Sequence, residues 1–409
     1  MSDNRLVVHH VGGRAGSRSF PVLPAFERDI INVMYDADER CLAQVMEIWK
    51  TQPSKTIVLP YCLSARDGVS KFHINYDPYT SSIYPLNPRY AQFYYTYPGQ
   101  GYDYVLGDTF RTVREVQLPT TTLDAVVLDR SEAPGPDFLS IDTQGSELDI
   151  LIGSLRLLDT TILAVHAEVE LHPLYEGQPL FGDICQFLAK HDFDLVDIQL
   201  FSKLLPIRGK HGFRGVGYAA HGEALFLKRP EAVTNSVQLN KLAFIAATFG
   251  QFECAQQCFD SIAFERMAAL QNPATDQQPQ YLDFVSRLAG TVASLPQRSV
   301  PLFSDVYSCA QSEARFQTQT QTSRRSLLGK YLRTITPLVF AVRVLRTLRQ
   351  RLYTLRISAM IRAYGWFKRS GSPVEALFLE FGMTEQYLLA MRNRILDSQV
   401  RPGSTGTSP

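Results

Sequence analysis

The chain has 409 residues, 45% of them hydrophobic and 20% charged, and its formal net charge at pH 7 is +1. This length predicts more than one domain, and the composition is typical of a globular protein. A membrane span is not predicted, because no run of about 18 apolar residues occurs. The first residues, MSDNRLVVHH, lack the basic and apolar segments of a signal peptide. The six cysteines form no CxxC pair, which argues against a disulfide framework or a zinc site and favours a cytoplasmic protein.

Residues 1–230 alternate apolar β-type runs with helical patterns, which predicts an α/β fold with a doubly wound sheet. Helices are predicted at Glu39–Lys50, Ser146–Leu158 and Pro179–His191. The segment Asp77–Gly107 is rich in Tyr and Pro without a clean period, so we expect an irregular lid or binding loop there. Strands are predicted at Leu6–Val11, Ile31–Tyr35, Thr56–Tyr61, Val69–Asn75, Phe138–Asp142, Ile162–Glu168, Leu195–Gln199 and Ala224–Lys228.

The pattern changes near Ser236, where helical spacing replaces the alternation of strands and helices. Leu239–Ala263 predicts a helical hairpin that turns near Phe249, Gly250 and Gln251. The organisation expected from these changes is a sheet domain at 1–230, a helical extension at 231–310, a basic helical region at 311–400 and a disordered tail at 401–409.

Basic residues are concentrated near the end of the chain. No Asp or Glu occurs between Phe316 and Val374, whereas region 324–369 carries twelve Lys or Arg residues. Their helical spacing indicates a basic amphipathic helix, which can cover an acidic surface of the sheet domain or lie peripherally on the inner face of an anionic membrane. Nucleic acid is not favoured as a partner, because aromatic and basic residues do not interleave there.

Two strand ends near the start of the chain carry features of a nucleoside site. The first strand runs into Gly12, Gly13 and Gly16, where missing side chains let the backbone approach a ligand. The second ends at Asp36, where a carboxylate can accept hydrogen bonds from ribose hydroxyls. A plain glycine turn and a helix N-cap are the alternative interpretations, although Asp38 fits the cap better. These features suit NAD-dependent dehydrogenases and nucleoside-dependent methyltransferases equally.

Two later segments add to this site. Cys62 and Leu63 follow the third predicted strand, where they can form an apolar wall for an adenine. The segment Phe138–Leu151 (FLSIDTQGSELDIL) is typical of a buried strand that ends at Asp142, a turn that contains Gln144, and a helix. Ligands of open α/β sheets bind at such strand ends, although Asp142 could instead cap the helix.

Three motifs connect this site to a known family. LSIDTQGSELDILIG at Leu139–Gly153, TLD at 122–124 and EVELHPLYEGQPLF at Glu168–Phe181 resemble the FkbM family of S-adenosylmethionine-dependent methyltransferases, and the likeness extends over residues 5–230. The resemblance implies a class I methyltransferase (Rossmann-like) fold, whose seven-stranded sheet ends in an antiparallel hairpin. It also implies S-adenosyl-L-methionine as the cofactor and methylation of a hydroxyl on a sugar, a glycan or a natural product.

One position departs from the family pattern. The family has an acid two residues before the first glycine, and this acid helps to hold the methionine end of the cofactor; here His10 stands in its place. His10 could donate to the cofactor carboxylate or simply pack. A catalytically inactive cofactor- or partner-binding protein of the same fold is therefore an alternative. An NAD-dependent oxidoreductase is another, although a full GxGxxG is missing.

Methyl transfer to a hydroxyl is helped by a group that accepts the hydroxyl proton. Strand alternation places Glu168 and Glu170 on one face of the strand that follows Asp142. We predict Glu168, Asp142 and Glu170 as catalytic residues, with Glu168 as the base or a substrate ligand; Glu147, His166 and His172 are further candidates for the base. No His, Asp and Glu cluster has metal-ligand spacing, so no metal is predicted. The predicted cofactor-binding residues are His10, Gly12, Gly13, Gly16, Asp36, Cys62, Leu63, Asp142 and Gln144.

Overall fold

The computed structural model describes residues 4–12, 19–37, 46–47, 53–96, 103–206, 216–261, 279–294 and 373–382. The chain divides into two compact units, 1–289 with 379–409 and 290–378, and the sheets and the candidate site lie in the first unit. Of the predicted helix Glu39–Lys50, only residues 46–47 are described, and these are helical. Gly13, Gly16, Asp38, the basic region 324–369 and the tail at 401–409 lie outside these ranges. No helix within them is long and apolar enough to cross a membrane.

Fourteen strands and eight α-helices occur in these ranges. The strands are β1 (Leu6–Val11), β2 (Ile30–Tyr35), β3 (Lys55–Leu59), β4 (Cys62–Leu63), β5 (Gly68–Asn75), β6 (Tyr94–Thr96), β7 (Tyr104–Val105), β8 (Thr112–Thr121), β9 (Phe138–Ile141), β10 (Ala164–Glu170), β11 (Phe193–Leu200), β12 (Lys203–Leu205), β13 (Tyr218–Ala219) and β14 (His221–Lys228). The helices are α1 (Leu106–Thr109), α2 (Glu147–Ile152), α3 (Leu155–Thr160), α4 (Phe181–Ala189), α5 (Ser236–Thr248), α6 (Phe252–Ser261), α7 (Gln280–Ser294) and α8 (Pro373–Glu380).

A seven-stranded mixed sheet forms the core of the α/β fold, with the strand order β3–β2–β1–β9–β10–β14–β11. The strands from β3 to β10 run parallel, whereas β14 is antiparallel to both of its neighbours. β1, β2 and β9 are buried along their whole length, as expected of apolar runs in a parallel sheet covered on both faces. The structure thus contains the predicted seven strands and the antiparallel pair at one edge.

The predicted strand Val69–Asn75 exists, but it is not part of the main sheet. It forms β5, which pairs with β8 in a separate three-stranded sheet of order β4–β8–β5. Polar residues such as Ser70, Lys71 and His73 interrupt its apolar positions, and much of the strand is exposed. This pattern suits an antiparallel strand with one solvated face and not a strand buried on both faces.

The Tyr-rich segment Asp77–Gly107 has more order than the sequence predicted. It contains β6, β7 and the first half of α1, and β6 pairs with both β7 and β12 in a four-stranded sheet of order β13–β12–β6–β7. These strands have only two or three residues each, which is too short for a periodic pattern to show. A second apolar core, which includes Tyr90, Tyr95 and Tyr175, holds this part together.

The single helix predicted at Ser146–Leu158 is divided into α2 and α3. The chain passes too close to a neighbouring segment at Gly153, where a Cβ atom would lie 2.2 Å from the carbonyl oxygen of Ser64. Asp124 then caps α3, because its carboxylate accepts hydrogen bonds from the backbone N–H groups of Arg156 (2.9 Å) and Leu157 (3.1 Å). The TLD motif therefore has a structural role in starting this helix.

The helical hairpin predicted at Leu239–Ala263 is confirmed as α5 and α6, although residues beyond Ser261 lie outside the described part. Phe249, in the turn, stacks on Phe138 of β9 with 5.6 Å between the ring centroids. The hairpin therefore covers one face of the main sheet with aromatic side chains.

A buried ion pair fastens this hairpin to the sheet. Lys241 Nζ of α5 lies 2.8 Å from Asp137 Oδ2, and the same oxygen accepts a hydrogen bond of 2.8 Å from the backbone N–H of Val7. Burial raises the pKa of Asp137, and the Lys241 ammonium opposes that shift. The Asp137 carboxylate, which directly precedes β9, is thus stabilised by the ammonium group of Lys241 in α5.

We predict that Lys241→Met lowers the free energy of unfolding by about 3–5 kcal/mol, because it leaves the Asp137 carboxylate buried without its cation. Urea unfolding at pH 7 measures this loss, with the exposed Lys55→Met as the matched control. Equal stabilities of the two variants would contradict the importance of the pair.

Candidate functional site

The predicted ligand-binding corners meet at one edge of the main sheet, where the parallel strands end. The backbone N–H of Gly12 donates to Tyr35 O (3.2 Å), that of Asp142 to Val11 O (3.0 Å) and that of Asp36 to Leu59 O (3.3 Å). The ends of β1, β2, β3 and β9 are thereby linked side by side. This edge is where open α/β sheets bind ligands.

Gly12 lies at the closest contact between two of these corners. Its φ is +82°, and a Cβ atom there would lie 1.8 Å from the carbonyl oxygen of Asp142. Both facts require glycine, because L side chains rarely adopt this φ and the backbone oxygen leaves no space. The structure thus gives Gly12 a role in packing two strand ends together, and its predicted role in the approach of a ligand stays a prediction.

The predicted nucleoside-binding residues are partly brought together. Burial and the negative charge of Asp36 raise the pKa of Cys62 to about 11, which shows that thiol and carboxylate are near each other. Leu63 is buried in the main apolar core and pairs with Thr121. Its side chain therefore packs in the interior beneath this region. His10 is also buried, on β1 between Met34 and Ser140 of the adjacent strands.

The turn after β9 is held by Glu147. Its Oε1 accepts hydrogen bonds from the N–H of Thr143 (2.9 Å), the hydroxyl of Thr143 (3.1 Å) and the N–H of Gly145 (3.2 Å). Burial raises the pKa of Glu147 to about 7, and the backbone N–H donors oppose that shift. Glu147, one of the predicted base candidates, therefore serves to shape the turn.

Gln144 connects two strand ends through its side-chain amide. Nε2 donates to Asp142 Oδ1 at 3.1 Å and to Glu168 Oε2 at 2.6 Å. The residue has φ of +57°, a conformation that is uncommon without a local reason. One amide therefore joins the carboxylates that follow β9 and lie in β10.

Gln144 is in turn held by the segments around it. Its carbonyl oxygen accepts from the Ser82 hydroxyl at 2.7 Å, and its Oε1 accepts from the Tyr175 hydroxyl at 3.3 Å. Tyr175 also donates to Thr80 O at 2.7 Å. The Tyr-rich segment is thus attached to the turn that carries the carboxylates.

Glu168 and Glu170 form the electrostatic centre of the site. Burial raises the pKa of both carboxyls well above the usual value, and the negative charges of Asp142 and Glu147 raise them further. The predicted placement of Glu168 and Glu170 at the end of one strand is confirmed by β10, which runs to Glu170. A buried carboxylate with a raised pKa is a stronger base and is typical of catalytic sites.

His221 faces Glu168 from the neighbouring strand β14, with Nε2 3.6 Å from Glu168 Oε1. Burial lowers the pKa of His221 to about 4, so the ring is neutral at pH 7. Its Nδ1 meets the hydroxyls of Ser202 and Tyr95, and Ser202 Oγ also accepts from the His221 backbone N–H.

The two other histidines that were candidates for the base lie elsewhere. His166 Nε2 is 3.7 Å from Glu223 Oε2, and its ring stacks on Phe249. His172 packs against the rings of Tyr90 and Tyr218. No group of three or more His, Cys, Asp and Glu residues in these ranges could hold a metal ion.

Sequence reasoning missed His221, Ser202 and Tyr95. Tyr95 and His221 are 126 positions apart, and they meet because the short four-stranded sheet packs beside β10. No local motif marks either residue. Tyr175 could have been found, since it lies inside the EVELHPLYEGQPLF segment that was recognised.

Comparison with known proteins agrees with the recognised motifs. Residues 49–195 match the family model of the methyltransferase FkbM domain, which confirms the resemblance. No curated protein matches the sequence. Among solved structures, the methyltransferase FkbM from Methylobacillus flagellatus KT is similar with a TM-score of 0.31 and 12% identity, over 55% of this chain and 44% of that one. The chain thus spans less than half the length of that protein.

We predict that Glu168→Gln raises the free energy of unfolding at pH 8 by about 0.5–2 kcal/mol, since it removes a buried charge and keeps an oxygen for the Gln144 amide. The folded-state pKa of Glu168 lies above its ordinary value of 4.5. Wild type therefore loses stability relative to the variant as the pH rises above about 4.5. Urea unfolding at pH 4 and pH 8 measures this, and a variant that is less stable at pH 8 would refute the burial argument.

Proposed function

We propose that this protein is an S-adenosylmethionine-dependent O-methyltransferase that acts on a hydroxyl of a sugar, a glycan or a natural product. The family match supports methyl transfer, and the parallel sheet that ends in an antiparallel pair supports the class I methyltransferase fold. The observation that carries the proposal is the Gln144 amide, which joins Asp142 and Glu168 within the matched segment. It supports Glu168 as a base at this edge of the sheet.

The residues at this edge have the chemistry that the cofactor needs. Asp36 can accept hydrogen bonds from the ribose hydroxyls, and Gly12 leaves the backbone free to approach the cofactor. The partly exposed Cys62 lies beside Asp36, where it can contact the base. When bound, S-adenosylmethionine supplies an electrophilic methyl group on a positively charged sulfur.

Glu168 accepts the proton of the acceptor hydroxyl in this proposal. Its raised pKa makes it a stronger base than an exposed carboxylate, and its position is set by Gln144 on one side and His221 on the other. Asp142 shares the Gln144 amide and so orients the same group. The Tyr-rich segment, attached through Ser82 and Tyr175, excludes water from the acceptor side.

The burial of these carboxylates also supports an enzyme over an inactive protein of the same fold. Glu147, Glu168 and Glu170 are held with raised pKa values, which lowers stability once they ionise. Buried carboxylates with raised pKa values are typical of catalytic sites, in which residues needed for activity lower the stability of the fold. A protein that only binds a partner has no need of them.

We predict that Asp36→Ala weakens S-adenosylmethionine binding about 10–100-fold, because ribose hydroxyls lose charged hydrogen bonds worth about 1.5–3 kcal/mol. Calorimetric titration measures the affinity, and the exposed Asp260→Ala on α6 is the matched control. Unchanged affinity in Asp36→Ala would remove Asp36 from the site.

The activity itself is tested by incubating the protein with methyl-labelled S-adenosylmethionine and extracts of glycans or metabolites. We expect the label in an acceptor with wild-type protein and a strong decrease with Glu168→Gln, whose cofactor affinity should change less. Titration with NAD under the same conditions tests the oxidoreductase alternative. NAD binding without S-adenosylmethionine binding would refute the proposal.

A further inference from the structure

The acidic side chains at the ends of β9 and β10 form one group, which we name the carboxylate cluster: Asp142, Glu147, Glu168 and Glu170. Glu147 and Glu170 are 2% and 4% exposed, and the Gln144 amide lies between Asp142 and Glu168. Asp142 is exposed and the Glu168 side chain keeps 15% of its surface, so the cluster reaches from the interior to solvent. Carboxylates as buried as Glu147 and Glu170 are normally paired with cations. The question is which positive charge this cluster accommodates.

Among the described residues, the groups that act on the pKa of Glu168 are acids. The electrostatic contributions to its pKa come from Asp142, Glu170 and Glu147, and all of them raise it. Those acting on Glu170 come from Glu147 and Asp142 and have the same sign. The titratable groups that face Glu168 from the packed elements are Asp142 after β9, Glu147 in α2, Glu170 in β10, His221 and Glu223 in β14, and Tyr175 after β10.

We propose that the carboxylate cluster accommodates the positive charge of the sulfonium cofactor and releases a proton when that cofactor binds. This inference rests on the proposed function and goes further. It states that the cluster favours binding of the charged cofactor over its neutral demethylated product. The cluster then acts as a proton-exchanging, cation-selective site at the ligand-binding edge.

The physical basis is the effect of one nearby charge on titrating carboxyls. A positive charge within about 4–6 Å lowers the pKa of a carboxyl by about 1–3 units. Because burial and mutual repulsion raise the pKa values of Glu147, Glu168 and Glu170, the cluster holds protons that an exposed carboxylate would lack at neutral pH. A cation therefore expels a proton, whereas a neutral ligand of the same shape does not.

The exchange fits the charge balance of the reaction. With the positive charge present, Glu168 is ionised and ready to accept a proton. The acceptor oxygen gives its proton to Glu168 and forms a bond to the methyl carbon, while the electron pair of the broken C–S bond stays on sulfur. One positive and one negative charge disappear together, so the step leaves the net charge of the site unchanged.

Calorimetric titration with S-adenosylmethionine and with S-adenosylhomocysteine tests this inference without an acceptor. The two ligands share every ionisable group and differ in the methyl group and the sulfur charge. Titrations at pH 7 in phosphate and in Tris, whose ionisation enthalpies differ, give the number of protons released. For a pKa shift of about 2 units, we expect S-adenosylmethionine to release roughly half a proton more than S-adenosylhomocysteine.

The same linkage predicts a pH dependence. At roughly half a proton of difference, the affinity for S-adenosylmethionine relative to S-adenosylhomocysteine rises roughly threefold for each pH unit between pH 6 and pH 8. His221 stays neutral across this range, because burial lowers its pKa to about 4. The slope therefore reports the carboxylates.

Glu168→Gln and, as a second variant, Glu170→Gln should each reduce the difference in proton release between the two ligands. Glu115→Gln is the matched control, because Glu115 is an exposed carboxylate on β8 that pairs with Lys71. It should keep the wild-type difference.

The outcomes separate this inference from the proposed function. If both ligands bind and release equal numbers of protons, the inference is wrong and the cofactor assignment stands. If the difference persists in Glu168→Gln, in Glu170→Gln and in a third variant, Glu147→Gln, the proton comes from elsewhere and the inference is also wrong. If neither ligand binds, the proposed function and the inference are overturned together.

Discussion

The candidate site depends on the two hydrogen bonds of one amide, Gln144 Nε2, to Asp142 and Glu168. These carboxylates repel each other, and a donor between them holds both in place without adding a charge. The amide can do so because Gln144 has a positive φ. In addition, Ser82 donates to its backbone oxygen and Tyr175 donates to its side-chain oxygen. Gln144 is therefore one of the residues through which the main sheet and the Tyr-rich segment are joined.

Much of the fold follows from apolar runs that are recognisable in the sequence, because β1, β2 and β9 are buried along their whole length. Alternation likewise predicted that Glu168 and Glu170 share a face. Alternation could not reveal Tyr95, because it lies in a strand of only three residues. It could not reveal His221 either, because His221 reaches the site by the pairing of β14 with the distant β10. Long-range packing, rather than local propensity, completes the site.

The candidate site has two halves, one inside the segment that matches the family model and one before it. The matched segment, 49–195, contains Asp142, Gln144 and Glu168, but Gly12 and Asp36 precede it. Backbone hydrogen bonding connects the halves, since the N–H of Asp142 donates to Val11 O and a Cβ atom on Gly12 would overlap with Asp142 O. A cofactor bound at Gly12 and Asp36 would thus lie beside the carboxylates that the family motif supplies.

Glu147 and Glu168 belong to the same cluster but differ in role. Glu147 holds the turn after β9, whereas Glu168 is the proposed base. Three donors from the turn satisfy Glu147 Oε1, and hydrogen bonds to a carboxylate favour its ionised form, so its pKa rises only to about 7. Glu168 accepts the Gln144 amide and faces the neutral His221, while three acids raise its pKa further. The carboxylate with fewer donors and more acidic neighbours gains most from a proton, which is the property that a base at this edge requires.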